Sequence, residues 1–265
     1  CLPIAHPFPL HHGDATLSAG ARNVSCVVLL AHYCGDAVCM DIDQDVAEVQ
    51  SMARTYQCSV HVVSNGKACP SSIDDSSCTL RPYNLGRECG AVTHYVISNY
   101  DQLPDRLILA ALPLGNPDHA RRQRLEALLQ TVDSEDFDCA VQPRFTMERT
   151  STYLSEEALF QMRFYKGAAL QPAPTRPLRA FARAYLGALP TNVRTCFAGV
   201  WRTSRARLHA RPRSLYERIA SECNVGDSPE SAHYVERLAG PIFGALSMRQ
   251  LPPSTDGEPA PTSEA

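Results

Sequence analysis

Apolar residues recur along this chain with two alternating periods. Val24 to Tyr33 is an apolar, β-branched run and predicts a buried strand. From Ile42 to Tyr56 the apolar positions are Ile42, Val46, Val49 and Ala53, which is helical spacing. Ser59 to Ser64 carries Val60, Val62 and Val63 and predicts a second strand, with Asn65-Gly66 turning the chain after it. Thr79 to Tyr83 predicts a short third strand. Gly86 to Tyr100 reads as a helix with Val92, Tyr95, Val96 and Tyr100 inward, and Arg106 to Leu112 as a further strand. Leu125, Leu128, Leu129 and Val132 share one helical face. Cys139 to Phe145 and Cys196 to Thr203 predict two later strands. Between them, Leu178, Phe181, Ala182, Tyr185, Leu186 and Leu189 form an amphipathic helix. Helices near Leu215 to Cys223 and Ala232 to Leu246 close the pattern.

Strand–helix–strand repeats of this length imply an α/β fold: a mostly parallel central sheet flanked by helices. No internal repeat divides it, so residues 23–247 read as one domain. Residues 1–22 are rich in Pro and His without periodicity and read as an extended N-terminal arm. Residues 248–265 read as a Pro-rich acidic tail. Ordering such arms costs roughly 1–2 kcal/mol per residue in backbone entropy. They are therefore expected to lie against another copy of the chain, which implies self-assembly. No apolar run approaches the ~18 residues of a membrane span.

Charge and cysteine content narrow the class. The net charge of -3 gives no general grip on nucleic acid. Arginine supplies all the basic residues except Lys67 and Lys166, as a GC-rich genome or a need for bidentate anion binding would produce. The 11 cysteines are spread out with no C-x-x-C, which argues for disulfides and an oxidising compartment rather than zinc. At least four intrachain bridges are expected, with open connectivity, although Cys34–Cys39 and Cys69–Cys78 could each close a small loop. An odd count leaves one thiol over, and Cys1 is the candidate intermolecular thiol. A chain beginning at Cys1 is expected to follow a removed secretory signal. Asn23-Val24-Ser25 is the one N-x-S/T sequon, so Asn23 is expected to carry an N-linked glycan on a secreted, extracellular protein.

Several segments could carry chemistry. Asn84-Leu85-Gly86-Arg87-Glu88 leads from a strand into a helix. Gly86 permits a tight turn, helix-start N–H groups can hold an anion, and Arg87 adds charge. The same residues also read as a plain helix start capped by Asn84. Asn116-Pro117-Asp118-His119 follows a strand at the position where ligands gather in parallel sheets. Asp118 and His119 could bind a divalent metal or move a proton there, and the segment also reads as a Pro-initiated helix start. Arg202 to Arg213 holds five arginines and reads as a solvated face or an anion clamp. The triplets Asp41-Ile42-Asp43 and Asp136-Phe137-Asp138 match the D-x-D of metal-dependent glycosyltransferases, but neither follows a strand. His6, His11 and His12 read as part of a solvated arm. There is no G-x-S-x-G, P-loop or G-x-G-x-x-G.

The stretch NLGRECGAVTHYVISNYDQLPD, Asn84 to Asp105, resembles the domain-of-unknown-function family 3431. The resemblance resumes within Phe197 to Gly244, in RARLHARPRSLYERI and YVERLAGPIFG, and spans most of residues 24–246. It implies a fold of the GT-A glycosyltransferase kind and a nucleotide-sugar ligand. Asn84, Gly86 and Arg87 would then hold the diphosphate, Glu88 would orient the acceptor, and Asp118 and His119 would bind metal or act as base. Ala110-Ala111, Ala198-Gly199-Val200 and Ala239-Gly240 depart from the family pattern. Two functions follow. One is a non-catalytic, disulfide-stabilised subunit of an extracellular assembly or filament. The other is a luminal glycosyltransferase.

Overall fold

Five strands make the central sheet of the computed structural model. The structure describes residues 24–33, 42–66, 68–81, 85–115, 120–134, 137–139, 164–165, 168–169, 171–187, 196–226 and 229–244. The strands are β1 (Cys26–Tyr33), β2 (Ser59–Asn65), β3 (Cys78–Arg81), β4 (Arg106–Ala111) and β7 (Val200–Ser204), in spatial order β3-β2-β1-β4-β7. The first four run parallel, and β7 pairs antiparallel with β4, Ala110 opposite Val200. Phe164–Tyr165 (β5) and Ala168–Ala169 (β6) form a small separate hairpin. This is the α/β architecture the periodicity implies, with a mostly parallel sheet.

Alternation along the strands builds two core layers. Leu29, Ala31, Val63, Leu107, Leu109 and Trp201 face one side. There they meet α2 (Arg87–Ser98) through Val92, Tyr95 and Val96. The C-terminal helices α6 (Arg213–Cys223), α7 (Glu230–Arg237) and α8 (Ala239–Phe243) complete that layer, with α4 (Leu178–Leu186) and α5 (Arg205–His209). Val28, Leu30, Val62, Ile108, Ala110 and Val200 face the other side. They pack on α1 (Asp43–Thr55) through Val46, Val49 and Ala53, and on α3 (Arg121–Gln130) through Leu125, Leu128 and Leu129. β4 is buried along its whole length because both of its faces are covered.

Some expectations shift. The helix expected over Ala232 to Leu246 is two helices that meet at Leu238, and the one expected to reach Leu189 ends at Leu186 with left-handed Gly187 after it. The strand expected over Cys139 to Phe145 lies outside the described residues beyond Cys139; Asp138 makes a single antiparallel bridge to Arg202. The arms at 1–22 and 248–265 also lie outside them.

Three disulfides brace the described residues. Cys26–Cys58 joins the starts of β1 and β2, Cys69–Cys78 closes the loop before β3, and Cys89–Cys223 bolts the first turn of α2 to the last turn of α6. Cys139 and Cys196 are buried outside these bridges, and Cys1, Cys34 and Cys39 lie outside the described residues. Among the described residues no helix is long and apolar enough to cross a membrane. Both findings fit an extracellular protein.

Candidate functional site

Strand order locates the site. The chain runs outward from β1 to β2 and β3, then returns through α2 to place β4 on the other side of β1. Connections therefore leave the carboxyl ends of β1 and β4 in opposite directions, which opens a crevice there. The starts of α2 and α3 and the turn before β7 all stand at this rim.

The start of α2 is held from several sides. Gly86 is left-handed, and its N–H donates to the Gly226 carbonyl at 2.7 Å. A Cβ on Gly90 would stand 2.2 Å from the Leu85 carbonyl oxygen, so α2 begins as it does only with glycine there. The Arg81 guanidinium donates to Asn65 Oδ1 at 2.9 Å, to the Leu85 carbonyl at 3.1 Å and to Asn224 Oδ1 at 2.9 Å. Asn65 Nδ2 in turn donates to the Arg87 carbonyl at 3.2 Å. Together with Cys89–Cys223, these contacts hold Arg87 in a left-handed conformation at φ 49°.

Glu88 follows and meets α3. Its carboxylate lies 3.8 Å from an Arg121 terminal nitrogen, too far for a hydrogen bond, with side-chain exposures of 22% for Glu88 and 5% for Arg121. Arg121 cannot swing closer: Nε donates to the Ala198 carbonyl at 3.0 Å and another terminal nitrogen to the Pro113 carbonyl at 3.0 Å. The turn before β7 closes the corner, with Ala198 at φ 69° and Gly199 at φ 63°. A Cβ on Gly199 would stand 2.9 Å from Glu88 Cγ and 3.0 Å from Ala111 Cβ. The Ala198 N–H donates to Glu236 Oε1 at 2.7 Å. Burial pushes the Glu236 carboxyl up, but His233, the Arg237 charge and the Ala198 N–H hold it below the usual carboxylate range.

At the end of β1 stands buried His32. Ser64 gives its one hydroxyl proton to the Ala68 carbonyl at 2.8 Å, so its oxygen accepts from His32 Nδ1–H at 2.9 Å. Nε2 is then the acceptor of the ring, and burial favours this neutral form by lowering the His32 pKa.

Of the residues the sequence singles out, the structure brings Gly86, Arg87 and Glu88 to this rim. Asn84, Asp118, His119, Asn23 and Cys1 lie outside the described residues. Asp43 of the first D-x-D accepts from the Ser71 hydroxyl at 2.6 Å and from the Ser72 N–H and hydroxyl at 3.2 and 3.0 Å, which ties the loop before β3 to α1. The arginine run divides: Arg205 and Arg213 stay about half exposed in ion pairs with Asp105 and Glu217, and the other three reach into the fold. Arg202 donates to the Leu128 carbonyl and the Thr131 hydroxyl at the end of α3, Arg207 to the Gly244 carbonyl and Arg211 to the Pro241 carbonyl. Sequence reasoning missed Arg121, His32 and Ser64. The available signal was their position, at or just after the carboxyl ends of predicted parallel strands. Among the described residues no three His, Cys, Asp or Glu side chains are grouped to hold a metal. No family model, curated protein or solved structure matches this chain.

Proposed function

We propose that this chain is a secreted glycoprotein whose glycosyltransferase-like α/β domain binds a nucleotide sugar at the carboxyl rim of its sheet. One observation carries the reading: the Glu88–Arg121 pair, held 3.8 Å apart at the switch point, each residue preceded by a left-handed one, Arg87 and Ala120. A guanidinium edge and a carboxylate at that spacing suit a ligand that both donates and accepts. Arg121 donates to a ligand oxygen while Glu88 accepts from a sugar hydroxyl, and the half-buried Arg87 favours the diphosphate.

The departures from the family pattern support binding rather than loss of a site. Ala111 and Gly199 are small where the family carries larger groups, and both Glu88 and Ala111 border the space beside Gly199. A smaller wall seats the carboxylate. The alternative, a non-catalytic assembly subunit, rests on the odd cysteine count, on the same departures read as loss of a pocket, and on the arms at 1–22 and 248–265, which lie outside the described residues.

Titration calorimetry with a panel of nucleoside diphosphate sugars tests the proposal. Glu88→Gln and Arg121→Lys should each weaken the best ligand by about tenfold or more, because each removes a charge-assisted hydrogen bond. Absence of binding by every donor, or unchanged affinity in both variants, would sink it.

A further inference from the structure

The turn before β7 divides its polar groups between two helices. Its N–H groups go to α7: the Cys196 N–H donates to the Glu236 carbonyl at 3.4 Å and the Ala198 N–H to Glu236 Oε1 at 2.7 Å. Its carbonyls go to α3. Ala198 accepts from Arg121 Nε at 3.0 Å, and Val200 accepts at 3.2 Å from an Arg124 terminal nitrogen that also donates to the Cys139 carbonyl at 3.1 Å. Both arginines are buried and stand one helical turn apart. Between the two grips sits Ala198, left-handed at φ 69° and ψ 14°. An alanine in that conformation is strained and returns to ordinary backbone unless it is held. A hydrogen bond to a carboxylate is stronger than one to a neutral acceptor, so Glu236 is the group best able to hold it. The other Glu236 oxygen lies 3.8 Å from His233 Nδ1 and 4.0 Å from an Arg237 terminal nitrogen, and the carboxylate also attracts the Arg124 charge.

We propose that Glu236 is a positioning residue of the candidate site: by fixing the Ala198 N–H it fixes the Ala198 carbonyl, and through that carbonyl the 3.8 Å gap between Arg121 and Glu88. The N–H and the carbonyl flank one Cα, so a rotation that frees the first turns the second away from Arg121. With Nε released, the guanidinium is free to close on Glu88 as a direct ion pair. The gap that takes the ligand is then filled by the protein itself. The ligand in this inference rests on the nucleotide-sugar reading, while the geometry is open to test without any ligand.

Nitrogen-15 NMR of the full-length, disulfide-bonded protein reads the geometry. The Arg121 Nε–H resonance, assigned by its loss in Arg121→Lys, should lie downfield of a solvated arginine because a carbonyl accepts from it. In Glu236→Ala it should move toward the solvated position. In Glu236→Gln, whose amide oxygen still accepts from the Ala198 N–H, it should stay. Glu236→Asp draws the carboxylate back by one methylene and should move the resonance the same way by less. It carries the same test where Glu236→Ala does not fold. Gly187→Ala, a strained change with nothing within 4 Å, should leave the resonance in place, which separates positioning from general loss of stability. Titration calorimetry with nucleoside diphosphate sugars reads the consequence. Glu236→Ala should weaken the best ligand about tenfold and Glu236→Gln by less than about threefold. An unmoved resonance in Glu236→Ala, or a moved one with the parent affinity, would overturn the inference and leave the nucleotide-sugar reading standing. A moved resonance in a protein whose parent form binds no donor would overturn that reading and still support the positioning of Arg121.

Discussion

The two ends of the parallel sheet solve the same chain-reversal problem in different ways. At the amino end, Gln57 is left-handed at φ 57° for a local reason. It follows the last turn of α1, where the Gln57 N–H donates to the Arg54 carbonyl at 3.1 Å and the Cys58 N–H to the Ala53 carbonyl at 2.9 Å. That pair of bonds is a Schellman cap, which repays the strain by satisfying helix-end carbonyls. Asp105 and Ser25 satisfy each other nearby. At the carboxyl end, Arg87, Ala120 and Ala198 are left-handed at φ 49°, 44° and 69° with no helix C-cap to account for them. Each such residue costs of order 1–2 kcal/mol. They stand beside Glu88, beside Arg121 and at the carbonyl that Arg121 grips. Strain that local capping does not explain gathers around one loose ion pair. That distribution supports the site proposed at the carboxyl rim.

Disulfide removal should separate the ends most strongly. Cys89–Cys223 spans 134 residues and Cys26–Cys58 spans 32. Loop entropy makes each worth about 3–5 kcal/mol, the longer by about 1 kcal/mol. Paired Cys→Ser replacement at 89 and 223 should lower both denaturation midpoint and ligand affinity, because α2 loses its anchor. The 26 and 58 pair should lower the midpoint alone. Equal loss of affinity in both proteins would erase the distinction.

The glycines offer a finer cut. Gly187 and Gly199 have similar left-handed φ, 77° and 63°. An added Cβ meets nothing within 4 Å at Gly187 but Glu88 and Ala111 at Gly199. Gly187→Ala should cost about 1 kcal/mol of conformational strain. Gly199→Ala should cost roughly 2–3 kcal/mol and displace Glu88 as well. Chemical denaturation with calorimetric ligand titration reads both numbers. Equal costs would mean that the wall at Glu88 yields freely.

Much of this frame was legible in the sequence, and its limits are physical. The runs at Val24 to Tyr33 and Arg106 to Leu112 announce strands because burial on both faces requires near-continuous apolar residues. The antiparallel sense of β7 was not legible, since a period of two carries no direction. Gly86, Arg87 and Glu88 were legible as a helix start. Their partner Arg121 was not, because its role depends on a carbonyl 77 residues away. The arginine run was legible only in part: spacing displays charges, as at half-exposed Arg205 and Arg213, and conceals the carbonyls of Leu128, Gly244 and Pro241 that take up Arg202, Arg207 and Arg211.

Relief of backbone strain should divide the ends again, with a smaller effect. Glycine removes the left-handed penalty but adds unfolded-state entropy, so the net gain is at most about 1 kcal/mol. Gln57→Gly should stabilise the domain and leave ligand affinity unchanged. Ala198→Gly should stabilise it similarly but loosen the Arg121 grip and weaken binding. An Ala198→Gly protein that is more stable and binds equally well would show that the strain there does not serve the site.

Acid titration should give the smallest effect and assign it to different pH ranges. Burial lowers the pKa of His32 at the carboxyl rim from the ordinary 6.5. It does the same for His61 and His94 on the α2 side, helped by the nearby His94 and Arg81 charges respectively. The unfolded chain therefore takes up protons before the folded one as pH falls below 6.5, and stability declines through the range below that value. At the amino rim, the Ser25 N–H holds the Asp105 carboxyl below the ordinary 3.8, against slight desolvation and with help from the Ser25 hydroxyl and the Arg205 and Arg106 charges. Its contribution persists at weakly acidic pH and is lost only as pH falls through the lowered carboxyl range. Denaturation midpoints followed from pH 7 to pH 5 should thus fall less steeply in His32→Gln than in the parent. Asp105→Asn should change only the slope below about pH 4. A His32→Gln protein with the parent slope from pH 7 to pH 5 would show that His32 is not held neutral by the fold, and with it would go the acceptor role assigned to Nε2.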